Sequence, residues 1–398
     1  MIGTPGFVGQ RLAQVREARG LTGVALADLL QVDNTCISNY EKDRQSPTAK
    51  VLERMVDVLK VPPSFFLRPV RAEGKEFWWR SLSSATKSAR SRAKARNMWL
   101  QEIISYLQEY LDFPKLNMPD FNLPDDVHKI SADDIEDIAT ECRKFWRLGS
   151  GPIADIVLIL ENNGIIVSRG ELGAETLDAY SQAGENIQRP VVFLGADKAT
   201  AARSRHDASH ELGHLLLHRH IDPAKLRHPI YFKLIEDQAH RFASAFNLPA
   251  QGFADQLWYP SMEAFLALKP HWRSSIASMI VRCVQLNILS EEQSRRMWIA
   301  MSRRGWRKQE PLDDRMAPEQ PRLLRRSFEL LVNEGVKTTD QILTDLALSA
   351  FDIESLACLD SGYLSYEPAN TFGMPQLRQD IYPKNGTDNV IRFASPKK

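Results

Sequence analysis

The stretch Ser209-His210-Glu211-Leu212-Gly213-His214-Leu215-Leu216-Leu217 constrains this chain more than any other. Side chains four residues apart share one face of a helix, so His210 and His214 can aim two imidazole nitrogens at one point, with Glu211 beside them. Leu212 and Leu215 to Leu217 put apolar bulk on the other faces, which argues for a buried helix that holds its ligands rigidly and partly dry. Two neutral imidazoles and one carboxylate suit a zinc ion that keeps a fourth position for water and lowers the pKa of that water to roughly 7. A glutamate inside such a motif can take the proton of that water and pass it to a leaving amine. Manganese or iron would accept the same donors, so the spacing points to a metal without naming it, and zinc is the expected one. Only three of the five positions are fixed, so the motif needs a third ligand before it carries weight.

His206, His210, His214 and His218 recur at intervals of four, so the helix offers more than one histidine pair. Only His210 with His214 encloses a glutamate, and that register is the one expected to bind metal. His206, His218 and the nearby His220 are read as ordinary or supporting histidines. Downstream, Ile235 to Leu248 reads as a second helix stopped by Pro249, with Glu236, His240 and Ala243 on one face. HELGH followed by E-x-x-A-H-x-F-A-x-x-F-x-x-P resembles the ImmA/IrrE family of bacterial metallopeptidases. That resemblance implies that Glu236 is the third ligand of one Zn2+ per chain. Two positions depart from the family's usual pattern: His240 stands where asparagine is usual, and His206 where an aromatic residue is usual. His240 could hydrogen-bond Glu236, steady an oxyanion or cap local structure, and it is carried forward with Glu211 as a candidate catalytic residue.

Composition sets few further limits. A chain of 398 residues, 43% of them hydrophobic, is long enough for two to three domains with their own cores. A net charge of +1 gives no global attraction to a polyanion, so nucleic-acid contacts must come from local patches. Cys36, Cys142, Cys283 and Cys358 are scattered without paired spacing and read as reduced thiols. No signal-like start and no long apolar run is visible, so a cytoplasmic protein with no membrane contact is expected.

The N-terminal segment has the rhythm of a bundle of short helices. Val8 to Arg19 forms the first, ending at Gly20; Thr22 caps the second; Asp33 caps a third from Asn34 to Glu41; a fourth runs from Ala49 to Leu59. RGLT at 19 to 22, LA at 26 to 27, ISNYE at 37 to 41 and SP at 46 to 47 resemble the XRE/Cro type of helix-turn-helix domain, over about 60 residues. The resemblance implies a double-stranded DNA operator as partner. The outward residues of the third helix, Asn34, Thr35, Ser38 and Asn39, would read base edges in the major groove, and Arg44 would hold phosphate. Arg16 and Glu41 match positions that form an internal ion pair in that family. Gly23 departs from the glutamine common there, and the segment is scarcely more basic than acidic, a weak electrostatic footprint.

From Phe77 to Trp99, Trp78, Trp79 and Trp99 interleave with Arg80, Lys87, Arg90, Arg92, Lys94 and Arg96, with no acid between Glu76 and Glu102. Such a run is compatible with single-stranded nucleic acid, and more simply with the solvated face of a helix whose aromatics pack inward. Helices over Asp133 to Trp146 and Pro152 to Asn162 lead into three short strand signals, at Ile165 to Ser168, Leu177 to Ser181 and Val191 to Leu194. A strand edge near the metal helix would suit a peptide bound as an added strand; Tyr180 is expected in the core. Beyond Pro249 the chain reads as helical to about residue 357.

The expected fold is α+β and mainly α: a five-helix-type helix-turn-helix bundle (1–70), a basic and aromatic connector (71–130), a zincin-like peptidase domain with a small sheet (131–255), a helical C-terminal extension (256–360) and a flexible tail (361–398). The expected function is a DNA-binding zinc endopeptidase that cuts a protein substrate, such as a transcriptional repressor or antitoxin or the chain itself, to switch gene expression under stress or in a phage response. The alternative is a non-proteolytic helix-turn-helix regulator with an inert or sensory peptidase fold. A homodimer is compatible with either.

Overall fold

The computed structural model describes residues 3–70, 86–124, 126–172, 178–182, 189–197, 200–219, 221 and 228–365. The segment Phe77 to Arg80, Leu177 at the start of the second expected strand, His220 and the tail beyond 365 lie outside them. The fold is mainly helical with one small mixed sheet.

Helices α1 (Gly9–Ala18), α2 (Gly23–Leu30), α3 (Asn34–Glu41) and α4 (Ala49–Leu59) form the N-terminal bundle, closed by a 3-10 turn at Pro63–Leu67. Apolar residues at helical spacing meet inside: Leu12, Val15, Leu26, Leu30, Ile37, Met55 and Phe65 are buried together. Thr22 caps α2 by accepting from the Ala25 amide, and Thr48 caps α4. Asp33 stands at the start of α3 but its side chain makes no cap bond, a correction to the expectation. Gly9 is required where α1 meets the end of α3, since a Cβ there would lie 2.0 Å from the Tyr40 carbonyl oxygen. Arg16 forks onto Glu41 with bonds of 2.5 and 3.2 Å, the internal pair expected from the resemblance.

Helix α5 (Lys87–Gln108) packs along α1. Trp99 is fully buried and meets Phe65 edge-on, so it cannot stack on a nucleic-acid base; its basic neighbours Lys87 and Arg90 are exposed. The solvated-face reading therefore fits the first turn of this helix, whereas Arg92, Lys94 and Arg96 are half-buried and Arg96 donates to the Glu171 carbonyl at 2.6 Å.

Next come α6 (Ala132–Phe145), opened by a Ser131/Asp134 capping box, and α7 (Ile156–Asn162). Strands β1 (Ile166–Gly170), β2 (Ala179–Gln182) and β3 (Val191–Gly195) are ordered β1-β3-β2, with β1 parallel and β2 antiparallel to β3. Alternation along the strands feeds two cores. Ile166, Tyr180, Val191 and Phe193 join the core that contains α5 and the N-terminal bundle, while Val167, Ala179, Val192 and Leu194 join the core of α8 (Ala201–Leu217) and α9 (Pro229–Asn247). Tyr180 accordingly stacks on Phe193, in the core as expected.

The stretch expected as one C-terminal extension divides between two cores. Helices α10 (Ala250–Ala254), α11 (Met262–Trp272), α12 (Ile276–Gln285) and α13 (Glu291–Arg303) pack around Phe253, Phe265, Trp272 and Met279. Helices α14 (Leu323–Asn333), α15 (Thr339–Leu346) and α16 (Ala350–Ala357) instead return to α5 and the sheet, burying Phe328, Ile342 and Ile353 in the same core as Leu12 and Trp99. Arg19, which follows the last residue of α1, forks onto Asp352 of α16 at 2.6 and 2.7 Å, and Arg11 meets Glu102 of α5 at 2.7 Å. The N-terminal bundle is thereby fastened to the rest of the chain by shared core and by two ion pairs.

Candidate metal centre and DNA-reading helix

Helix α8 turns its leucines into the core, which puts His210, Glu211 and His214 on the side facing α9 and β2. The two helices approach closely at Gly213, where a Cβ would lie 3.0 Å from the Phe242 ring. That closeness brings Glu236 of α9 over the histidines. His210 Nε2 lies 3.0 Å from His214 Nε2, 3.3 Å from Glu236 Oε2, and Glu236 Oε1 lies 3.4 Å from His214 Nε2. Donors about 2.0–2.1 Å from a tetrahedral zinc ion would stand roughly 3.3 Å from each other, so the three residues fit such an ion without rearrangement. The charges agree. Burial raises Glu236, but its bonds to His210 and His214 outweigh that and hold it far below the usual carboxylate range. Burial lowers His210, yet Glu236 and then Glu211 outweigh that and raise it. A cluster with a stabilised carboxylate and a proton-seeking imidazole is one that added positive charge would stabilise.

The sequence did not reveal what stands behind His214. His218 is fully buried, its Nδ1 lies 3.0 Å from His214 Nδ1, and its Nε2 lies 3.0 Å from Gln238 Oε1. The Gln238 amide nitrogen donates to the carbonyls of Val127 (2.8 Å) and Ile130 (3.2 Å). These contacts are satisfied together by the following proton arrangement. Gln238 Oε1 must accept, so His218 Nε2 donates; His218 Nδ1 then accepts, so His214 Nδ1 donates. His214 Nε2 is left with its lone pair toward Glu236 and His210, the tautomer a metal ligand needs. His218 thus stands in hydrogen-bond contact with His214 and Gln238.

Ser181 was also missed. It shares the inner face of β2 with Ala179, and its hydroxyl donates to Glu211 Oε2 at 2.5 Å. The signal was present in the alternation of the strand, but not the identity of the residue that it would meet.

His240 lies beside the cluster, its ring centre 4.3 Å from that of His210, and its Nδ1 is 3.1 Å from His206 Nε2. No bond from His240 to Glu236 is present among the described residues; its partner is His206. The surrounding protein, and then the neighbouring imidazoles, push His206 down to about 3 and His240 to about 4, so both are neutral at pH 7.

In the N-terminal bundle, Ile37 and Tyr40 turn α3 inward, which leaves Asn34, Thr35 and Ser38 exposed and Asn39 half-buried on its outer side. Arg44 is exposed in the turn that follows, its amide bonded to the Asn39 carbonyl at 2.9 Å. The arrangement is that of a helix free to enter a groove.

Fold and site together define a helix-turn-helix bundle joined to a peptidase-like domain with a potential metal cluster. Comparison with known families gives the same division: residues 8–64 match the helix-turn-helix domain family HTH_31, and residues 160–283 match the IrrE N-terminal-like domain, Peptidase_M78. No curated protein matches the chain. The helix-turn-helix match supports DNA binding, and the two matches support a DNA-binding regulator with a peptidase-like domain. Among the described residues, no helix is long and apolar enough to cross a membrane.

Proposed function

We propose that this chain is a regulatory zinc endopeptidase that acts on a protein substrate in the neighbourhood of its own operator. The observation that carries the reading is the convergence of His210, His214 and Glu236 donors within 3.0–3.4 Å, with Glu211 held beside them by Ser181. A zinc ion in that cluster would polarise a scissile carbonyl and acidify water. Glu211 then acts as general base and returns the proton to the leaving amine, while the Ser181 hydroxyl keeps its carboxylate aimed. His240, neutral and at the rim, is placed to donate to an oxyanion once its bond to His206 is exchanged.

The substrate proposed is a repressor or antitoxin-like protein bound to nearby DNA. Asn34, Thr35, Ser38 and Asn39 would read base edges and Arg44 a phosphate, holding the peptidase at high effective concentration near such a target. The shared core and the Arg19–Asp352 and Arg11–Glu102 pairs make the bundle a fixed platform, which favours cleavage of another chain over release of its own DNA-binding bundle. The test is incubation of the zinc-loaded protein with regulators encoded beside its gene. Cleavage by wild type and none by Glu211→Gln, with equal zinc content, is expected. Equal cleavage by both proteins would remove Glu211 from the chemistry. Normal promoter control by Glu211→Gln in cells would favour the non-proteolytic regulator.

A further inference from the structure

The two histidines of the cluster differ in what stands behind them. His214 gives its second ring nitrogen to His218, whereas His210 Nδ1 is buried and has no hydrogen-bond partner among the described residues. Metal-binding histidines nearly always give that nitrogen an acceptor, so its lack at His210, itself only 7% exposed, needs a reason. What surrounds His210 is two more imidazoles, His240 with its ring centre at 4.3 Å and His206 at 6.4 Å. One ring nitrogen from each of His206, His210 and His240 lies within 4.8 Å of the other two, and His206 Nε2 and His240 Nδ1 are 3.1 Å apart. That last spacing is close to the roughly 3.3 Å edge of a tetrahedral zinc site. His206 is half-buried and His240 exposed, so a cation can reach them from solvent.

We propose that His206, His240 and the Nδ1 of His210 form a second Zn2+ site that shares His210 with the first. The inference rests on the reading of His210, His214 and Glu236 as the first site. An imidazole with a metal on each nitrogen is an anion, so filling the second site releases the proton of His210 Nδ1 to solvent. A zinc ion there also engages His240, withdrawing it from any contact with substrate.

The test is a zinc titration of metal-stripped, full-length protein read by native mass spectrometry, with proton release followed by a pH indicator. Wild type, His206→Phe, His240→Asn and Glu236→Ala are compared, and circular dichroism verifies that each is folded. Two zinc ions in wild type, one in His206→Phe and in His240→Asn, and a proton released with the second ion in wild type alone are the expected results. One zinc in wild type, kept by both histidine variants and lost in Glu236→Ala, overturns the second site and leaves the first standing. Two ions kept by both histidine variants also overturn it, by placing the second cation elsewhere. No zinc in wild type, or a single ion that survives Glu236→Ala but not His206→Phe, overturns the first-site reading instead.

Discussion

The two ends of the histidine stripe on α8 are built differently. Behind His214 a buried relay of His218 and Gln238 ends on two main-chain carbonyls. At His210 the Nδ1 has no hydrogen-bond partner among the described residues, and the imidazoles of His206 and His240 stand nearby, toward solvent. One end is braced and dry; the other is open to exchange. A rigid end fixes where a cation sits, and a loosely supported end lets substrate, proton or a further cation come and go.

The contrast can be broken from its braced side first. Glu236→Ala should abolish tight zinc binding, because it removes the one carboxylate of the cluster, and dialysis followed by metal analysis would show it. Gln238→Leu comes next. It strands His218 Nε2 and the Val127 and Ile130 carbonyls, so zinc affinity should fall by roughly 10–100-fold and thermal stability by about 1–3 kcal/mol. Zinc competition with a chelator and a melting curve test both, and an unchanged affinity would mean that the relay does not set the tautomer. Ser181→Ala should leave zinc content intact while lowering kcat, since it loosens Glu211 and no metal ligand. Smallest at the metal, with no change expected there, is Ser38→Ala on α3; losing one hydroxyl hydrogen bond should weaken operator discrimination by about 0.5–1.5 kcal/mol at one base pair, read by binding to a panel of single-base variants.

The legible part of the molecule was the local part. Histidines four apart on one helix, the ISNYE stretch of α3 and the Thr22 cap of α2 each depend on neighbours within a few turns, and each is found in the structure. The first and third strands were visible in the β-branched runs Ile165 to Val167 and Val191 to Val192. What remained hidden is what the chain brings together from afar. Gln238 is 111 and 108 residues from the carbonyls that orient it, and Ser181 is 30 from Glu211. Nothing in a glutamine or a serine advertises such a partner. The same holds for α14 to α16, whose apolar faces gave their helices away but not that they would return to α5 and the sheet instead of joining α10 to α13. Asp33 is the opposite case: the right residue for a cap, at the right position, whose side chain makes no cap bond.

The measurement that tests the central claim most directly is the zinc content of purified wild-type protein beside His214→Ala and Glu236→Ala, read after exhaustive dialysis. The account predicts zinc retained by wild type and lost from both variants, which remain folded and still bind DNA through the N-terminal bundle. A wild-type protein that takes up no zinc when it is supplied would contradict the account, leaving a DNA-binding regulator whose second domain performs no metal chemistry.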